Sequence, residues 1–387
     1  MKVLKPSRLK KGLRCFLYSS LTVLTLFGAL APVVGYEKQK VETQNSNPQG
    51  TIEQTISVMS ANIAACAGRP FSFWDLFPNP VTEWWHGETA NRGCKKLEEM
   101  IRENGITIVG LQEIEQSDVR KEDQPKLFAQ HTGLSNYSFA SNITHRFAGL
   151  WYLANGNAIL SQAPIESSTW IPLEDKKPFS WGTIFDFLVG TEGIHHITLR
   201  YQGHLINVIN VHLSNEEFIK NELDDGRLQR EREIEFRAVF EYAAKVTKEG
   251  PTILLGDWNS APPRIRFKNF SNTDGKYEGE NTWETALEIV DREGLVLEHA
   301  GLLDPYGSLN MPGSYHGVVP PSELGYSSHR KDTGERIDLI FTLYDPQSNH
   351  LLPRLQETTV LNDFLVSDHY PVVAIIRFEE NLLYHLP

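Results

Sequence analysis

Two apolar runs, residues 195–202 and 204–213, meet across a single glycine, Gly203. A junction that short makes a hairpin, so the two strands pair antiparallel and a purely parallel doubly wound sheet is excluded. Elsewhere strand-like and helix-like patterns alternate. Residues 55–63, 106–111, 157–161, 251–255, 336–342 and 370–378 are short runs rich in branched or aromatic residues, and are predicted as strands. Residues 92–104 place Leu97, Met100 and Ile101 on one helical face, a second helix is predicted near 121–132, and a long one over 227–248 carries Ile234, Phe236, Val239 and Phe240 as its apolar positions. On the same helix, Arg227, Arg230 and Arg232 alternate with Glu231, Glu233 and Glu235 and are predicted to form a solvated face. Mixed strands with interspersed helices predict an α/β fold of stacked sheets with helices outside. No internal repeat is visible, and the long stretches 66–91 and 301–330 read as loops on one body, residues 55–379, with a short C-terminal tail at 380–387.

The first 35 residues have a different character. Six basic residues precede residue 15, and residues 15–35 then carry no charge at all. That pattern is an export signal, with cleavage expected after Gly35, or a membrane anchor, since 21 uncharged residues suffice to span a bilayer. Either way the body is expected outside the cytoplasm, secreted or periplasmic. Residues 36–54 are polar without apolar period and are predicted as a linker. Export changes how cysteine is read: Cys66 and Cys94, the two outside the signal, form either a disulfide or two free thiols. From residue 15 onward 31 basic residues face 49 acidic ones, a formal net of −18. A body so acidic excludes a non-specific nucleic-acid coat, which needs a basic face.

Several predicted strands end in polar or acidic residues, which is costly unless those residues are paired or used. The first ends at Asn62, the second runs into Gln112-Glu113, the hairpin ends at His212, and residues 251–255 run into Gly256-Asp257-Trp258-Asn259. Asp338 lies inside a strand, where alternation places it beside core residues on one face, and Ser367-Asp368-His369 opens the last strand. Singly each has an ordinary explanation: Asn62 as a turn cap, Glu113 as a solvated strand end, His212 as a packed histidine, Gly-Asp-Trp-Asn as a turn. Six such sites in one chain point instead to groups converging at one end of stacked strands.

The series Ser60-Ala61-Asn62-Ile63, Gly110-Leu111-Gln112-Glu113, Gly156-Asn157-Ala158-Ile159, Asn210-Val211-His212-Leu213, Gly256-Asp257-Trp258-Asn259-Ser260, Ile337-Asp338-Leu339 and Ser367-Asp368-His369-Tyr370 resembles the endonuclease/exonuclease/phosphatase superfamily. The resemblance implies a deoxyribonuclease-I-like fold, a four-layer α/β/β/α sandwich of two mixed sheets with outer helices. It implies a divalent-metal phosphoesterase in which Asn62, Glu113 and Asp368 hold Mg²⁺ or Mn²⁺, the ions that oxygen ligands suit. It further implies that Asp257 orients or deprotonates the attacking water, that Asn259 bonds a phosphate oxygen, that His212 and His369 act as acid, base or phosphate clamp, and that Asp338 orients one of those histidines. Ala64 stands where the abasic-site endonuclease branch carries an acid. Ser260-Ala261 and Ile337-Asp338-Leu339 also depart from the inositol polyphosphate phosphatase pattern.

The expectation is therefore a hydrolase of phosphodiester bonds, nuclease-type, acting on nucleic acid. The alternatives are a lipid-headgroup phosphodiesterase (sphingomyelinase-like), a phosphatase, and, from another class, a catalytically silent binding protein of the same fold. Phe71, Phe73, Trp74, Phe77, Trp84 and Trp85 form either an aromatic rim for bases or a membrane, through residues 71–85, or a satellite core that lets a long loop pack on itself. Arg264, Arg266 and Lys268 are either a phosphate-steering cluster or a solvated loop. The chain is expected to act as a monomer.

Overall fold

The computed structural model describes residues 34–36, 41–45, 55–63, 66, 93–117, 122–147, 151–173, 192–201, 203–213, 227–259, 280–298, 338–361, 367, 369 and 371–380. The aromatic segment 71–85, the basic residues 264–268, Asp368, and most of the export segment lie outside these residues. In chain order the strands are β1 (Val34–Tyr36), β2 (Val41–Asn45), β3 (Thr55–Asn62), β4 (Ile108–Ser117), β5 (Glu122–Asp123), β6 (Asn136–Phe147), β7 (Trp151–Ser161), β8 (Ile165–Pro172), β9 (Gly193–Tyr201), β10 (His204–His212), β11 (Thr252–Asp257), β12 (Val296–Glu298), β13 (Asp338–Tyr344), β14 (Leu352–Val360) and β15 (Val372–Glu379). The helices are α1 (93–103), α2 (Gln124–Thr132), α3 (Arg227–Thr247) and α4 (Glu280–Arg292).

Nine strands form one sheet along the path β1-β6-β7-β4-β3-β15-β14, with β2 added on β6 and β5 on β4; six form the other in the order β12-β13-β11-β10-β9-β8. Each sheet contains one parallel pair, β3 with β4 and β10 with β11, amid antiparallel neighbours. The expected hairpin is β9–β10, His204 facing Tyr201 across Gly203. Alternation builds three buried layers. Ile56, Val58, Ile108, Val208, Ile253 and Ile340 meet between the sheets. The opposite face of the first sheet packs Val109, Leu111 and Ile114 against Leu97, Met100 and Ile101 of α1 and Phe128 of α2. The opposite face of the second packs Ile209, Leu254 and Phe341 against Phe236, Val239 and Phe240 of α3 and Trp283 of α4. The result is the α/β/β/α sandwich.

Three local expectations are corrected. Part of the stretch expected as a linker is strand: Val41–Asn45 pairs with β6, and Asn45 exchanges two 2.9 Å hydrogen bonds with the backbone of Ile165. The strand has no apolar period because it is added at the sheet's margin, where backbone pairing rather than side-chain burial holds it. Val34–Tyr36, read within the export segment, likewise pairs with β6. On α3, Ile234 is 55% exposed whereas Arg232 is 9% exposed. Residues 232, 236 and 240 recur every four positions and share the inward stripe, and position 234 falls opposite it. One open alternative is also decided: Cys66 and Cys94 are joined as a disulfide, not two free thiols.

Trp258 is fully buried, with ring centroids 5.3 Å from Phe236 and 5.4 Å from Phe341. It anchors the turn between Asp257 and Asn259 in the helix-side core. Trp258→Ala is therefore expected to lower unfolding free energy by about 3–5 kcal/mol in a urea titration, as large aromatic truncations do.

Candidate active site

Strand alternation carries polar side chains to one end of the layer between the sheets. Along β10, Val208, Asn210 and His212 share a face; along β11, Ile253, Leu255 and Asp257 do. His212 is in register with Asp257, and Asp257 with Asp338, so three chemically active residues form one row across β10, β11 and β13. Facing them, Asn62 ends β3 in register with Gln112 of β4. The two sheets are stapled just behind the row. Gln112 Nε2 donates to Asn210 Oδ1 at 2.6 Å, and Asn210 Nδ2 donates to the carbonyls of Leu111 and Ala158 at 3.0 Å each.

Glu113 does not follow alternation. By a period of two it belongs on the helix side with Val109 and Leu111. Between β4 and β7, however, Leu111 faces Ala158 and Ile114 faces Gly156, so β4 carries one extra residue. This bulge gives the helix-side position to Ile114 and leaves Glu113 at φ 55°, a conformation uncommon outside glycine. Its carboxylate is thereby turned to Asn62, whose Nδ2 donates to Glu113 Oε1 and to Asp257 Oδ2, both at 3.0 Å.

The remaining contacts tie the site together. His212 Nε2 lies 3.6 Å from Asp257 Oδ2 and 3.8 Å from Glu113 Oε1. His369 Nδ1 is 2.8 Å from Asp338 Oδ2, and its Nε2 is 3.7 Å from Asp257 Oδ2. With a carboxylate as acceptor, Nδ1 of His369 carries the proton and Nε2 is the atom presented to Asp257. The Asp257 carboxylate also accepts from the backbone N–H of Asn259 at 3.0 Å, while Asn259, at φ 46°, donates its side-chain amide to the Leu213 carbonyl at 2.7 Å. Asn259 therefore clamps the turn with one N–H and has a second for a ligand. Asn62, Glu113, His212, Asp257, Asn259, Asp338 and His369 are thus brought to one place. Asp368 lies outside the described residues, next to His369.

Two residues had no sequence signal. Glu192, just before β9, accepts from Asn142 Nδ2 at 3.2 Å, and Asn142 is the extra residue of a second bulge, where β6 meets β7. Burial pushes the Glu192 carboxyl up to about 7; His212 opposes the rise, and Glu235, Glu113 and Asp257 add to it. For His212 burial alone acts downward, but Glu192, Asp257 and Glu113 outweigh it and hold the imidazole above its ordinary value. A raised carboxyl stays protonated in the folded chain while the unfolded chain ionises, so it reduces stability progressively from about pH 4.5 to pH 7. Glu192→Gln is expected to remove that loss. In chelator-treated protein its melting temperature should exceed that of the parent at pH 8 and match it at pH 4, a gain on the order of 1–2 kcal/mol after allowance for partial exposure.

The donor set fits a hard divalent cation. Glu113 and Asp257 are drawn to the same amide of Asn62, and the residues flanking them offer oxygen or imidazole; both cysteines outside the export segment are sequestered in the disulfide. A second group, Asp257, Asp338 and His369, has its ligand atoms within 4.8 Å of one another. There His369 would offer its second ring nitrogen, since Nδ1 is bonded to Asp338.

The profile of the endonuclease/exonuclease/phosphatase family matches residues 60–369, and the chain belongs to that family. Its members include nucleases and phosphatases, are generally hydrolases acting on phosphoesters, and typically use divalent metals. Among solved structures, the endonuclease/exonuclease/phosphatase from Beutenbergia cavernae DSM 12333 is 18% identical over 84% of this chain and 72% of its own, with a TM-score of 0.52. A family protein from Bacteroides thetaiotaomicron is 14% identical over 84% of this chain and 98% of its own, at 0.49. TDP2 from D. rerio, complexed with single-strand DNA product, is 12% identical over 84% and 100%, at 0.47. No curated protein matches the sequence.

Proposed function

We propose that this chain is an exported, divalent-cation-dependent phosphodiesterase of nuclease type. What carries the reading is the convergence of Asn62, Glu113, His212, Asp257 and the Asp338–His369 pair at one end of the inter-sheet layer. Asn62 and Glu113, with Asp368, would hold Mg²⁺ or Mn²⁺, which supplies Lewis-acid stabilisation of charge on the phosphoryl oxygens. Asp257, buried and fixed by Asn62 and Asn259, accepts a proton from the attacking water and aligns it. His369, oriented by Asp338, holds a phosphate oxygen as the imidazolium, with Nδ1–H donating to Asp338 and Nε2–H donating to the phosphate. His212, whose imidazolium is favoured by the acids around it, delivers a proton to the departing oxygen. The alternative of a silent binding protein loses ground because Asn62, Glu113, His212, Asp257, Asp338 and His369 are all present and lie in one chain of close contacts.

One observation favours a second reading, a small-headgroup phosphodiester in place of a nucleic acid. The body is strongly acidic, and Glu192, Asp257 and Glu113 all act on His212. Nicking of supercoiled plasmid by the whole chain, with Mg²⁺, with chelator and with Asp257→Asn, tests the first reading. Chelator-sensitive nicking that the variant lacks supports a nuclease. Turnover of bis(p-nitrophenyl) phosphate without nicking moves the assignment to small phosphodiesters, and no turnover of either removes the hydrolase.

A further inference from the structure

The Cys66–Cys94 disulfide lies four residues beyond Asn62, and nothing in the catalytic reading uses it. Cys66 is fully buried in the core beneath α1, among Ala61, Ile63, Leu97, Ile101 and Leu111, and Cys94 sits in the first turn of α1. A short relay joins it to the cation end of the site. The Cys66 N–H donates to the Ile63 carbonyl at 2.6 Å, and the Ile63 N–H donates to the Gln112 carbonyl at 3.1 Å. Gln112 is the residue before Glu113, and Ile63 the residue after Asn62.

On each side of Ile63 this relay ends in a non-glycine residue at positive φ, Cys66 at 57° and Glu113 at 55°. Such conformations persist only where surrounding structure over-determines them. The bulge in β4 does this for Glu113. For Cys66 it is the covalent bond to α1, which fixes the turn from which Ile63 grips the Gln112 carbonyl. The bridge also closes a 28-residue separation into a span of 5.5 Å between Cα atoms, a chain constraint that ends four residues from Asn62.

We propose that the Cys66–Cys94 disulfide is the positioning device of the cation site, so that the chain gains full cation affinity only where the bridge can close, in an oxidising compartment. The proposal rests on the cation-dependent phosphoesterase reading above. Closure joins two thiols into one S–S bond and passes two electrons and two protons to an oxidant of the disulfide class. Opening returns them from a dithiol, which is itself oxidised to a disulfide. The consequence is a chain poorly active on phosphodiesters inside a reducing cytoplasm and competent after export.

The experiment uses the whole chain and Mg²⁺ alone as probe. Cation affinity is measured by calorimetry on the oxidised protein, on protein treated with dithiothreitol, and on Cys66→Ala/Cys94→Ala, with near-ultraviolet circular dichroism recorded on each. The expected result is native dichroism in all three, with the dissociation constant for Mg²⁺ raised about tenfold in the reduced and doubly substituted forms, the range seen when support behind metal ligands is removed. Reoxidation should restore the affinity of the dithiothreitol-treated sample. Equal affinities with native dichroism overturn the proposal while leaving the cation reading intact. Loss of native dichroism on opening also overturns it, because the bridge would then hold the fold and not the site. Absence of Mg²⁺ binding in the oxidised protein overturns the cation reading itself.

Discussion

Asp257→Asn is expected to reduce phosphodiester turnover by about 10²–10⁴-fold, the range for loss of a positioned general base. Asp257 is contacted by Asn62, Asn259, His212 and His369. An asparagine there can still accept from the Asn259 N–H through its carbonyl, but its amide nitrogen then faces the Asn62 amide, donor against donor. Stability should therefore fall only by about 1 kcal/mol, the worth of one hydrogen bond. A steady-state rate collapse with a nearly unchanged urea midpoint is the signature. A variant retaining more than a tenth of the parent rate would remove Asp257 from the chemistry.

Gly156→Ala is expected to damage both stability and cation affinity although it touches no ligand. Gly156 sits in β7 opposite Ile114, directly across from the bulge that turns Glu113 inward, and opposite Ser141 on its other side. A methyl group there would collide with the Ala140 carbonyl oxygen and come within 2.7 Å of Ser141 Cα. Both are backbone atoms of a neighbouring strand, so no side chain can swing away. The strands must part, at about 3 kcal/mol, the upper end of overpacking costs. Because a displaced β7 is also the strand against which the β4 bulge sets Glu113, calorimetric Mg²⁺ affinity should weaken with the urea midpoint. Gly110→Ala is the natural comparison: its methyl would collide with Cδ1 of Leu255, the far end of a side chain and not backbone, and approach Cγ of Asn210 at 3.2 Å.

The placement of His212, Asp257 and Asp338 was determined by the sequence alone. His212 and Asp257 continue alternating strands and Asp338 begins one, each strand sending apolar residues of the same face into the inter-sheet core, and a period of two leaves only one face for them. The hairpin across Gly203 and the apolar stripe of α1 followed in the same way, because side-chain periodicity is a local property. Glu113, by contrast, was named only through its motif. Alternation sends it to the wrong face, and the bulge that redirects it is a backbone event with no side-chain pattern. The margin strand β2 was hidden for a related reason, since its polar residues pair through amides and carbonyls that every residue carries, while β1 was hidden at the end of the uncharged export segment. Only the tertiary structure decided that Asp338 pairs with His369, that Asn142 holds Glu192 beside His212, and that Cys66 meets Cys94. Those relations depend on distances between segments remote in the chain, and hydrogen bonds, burial and covalent bridges are set by distance, not by order in sequence.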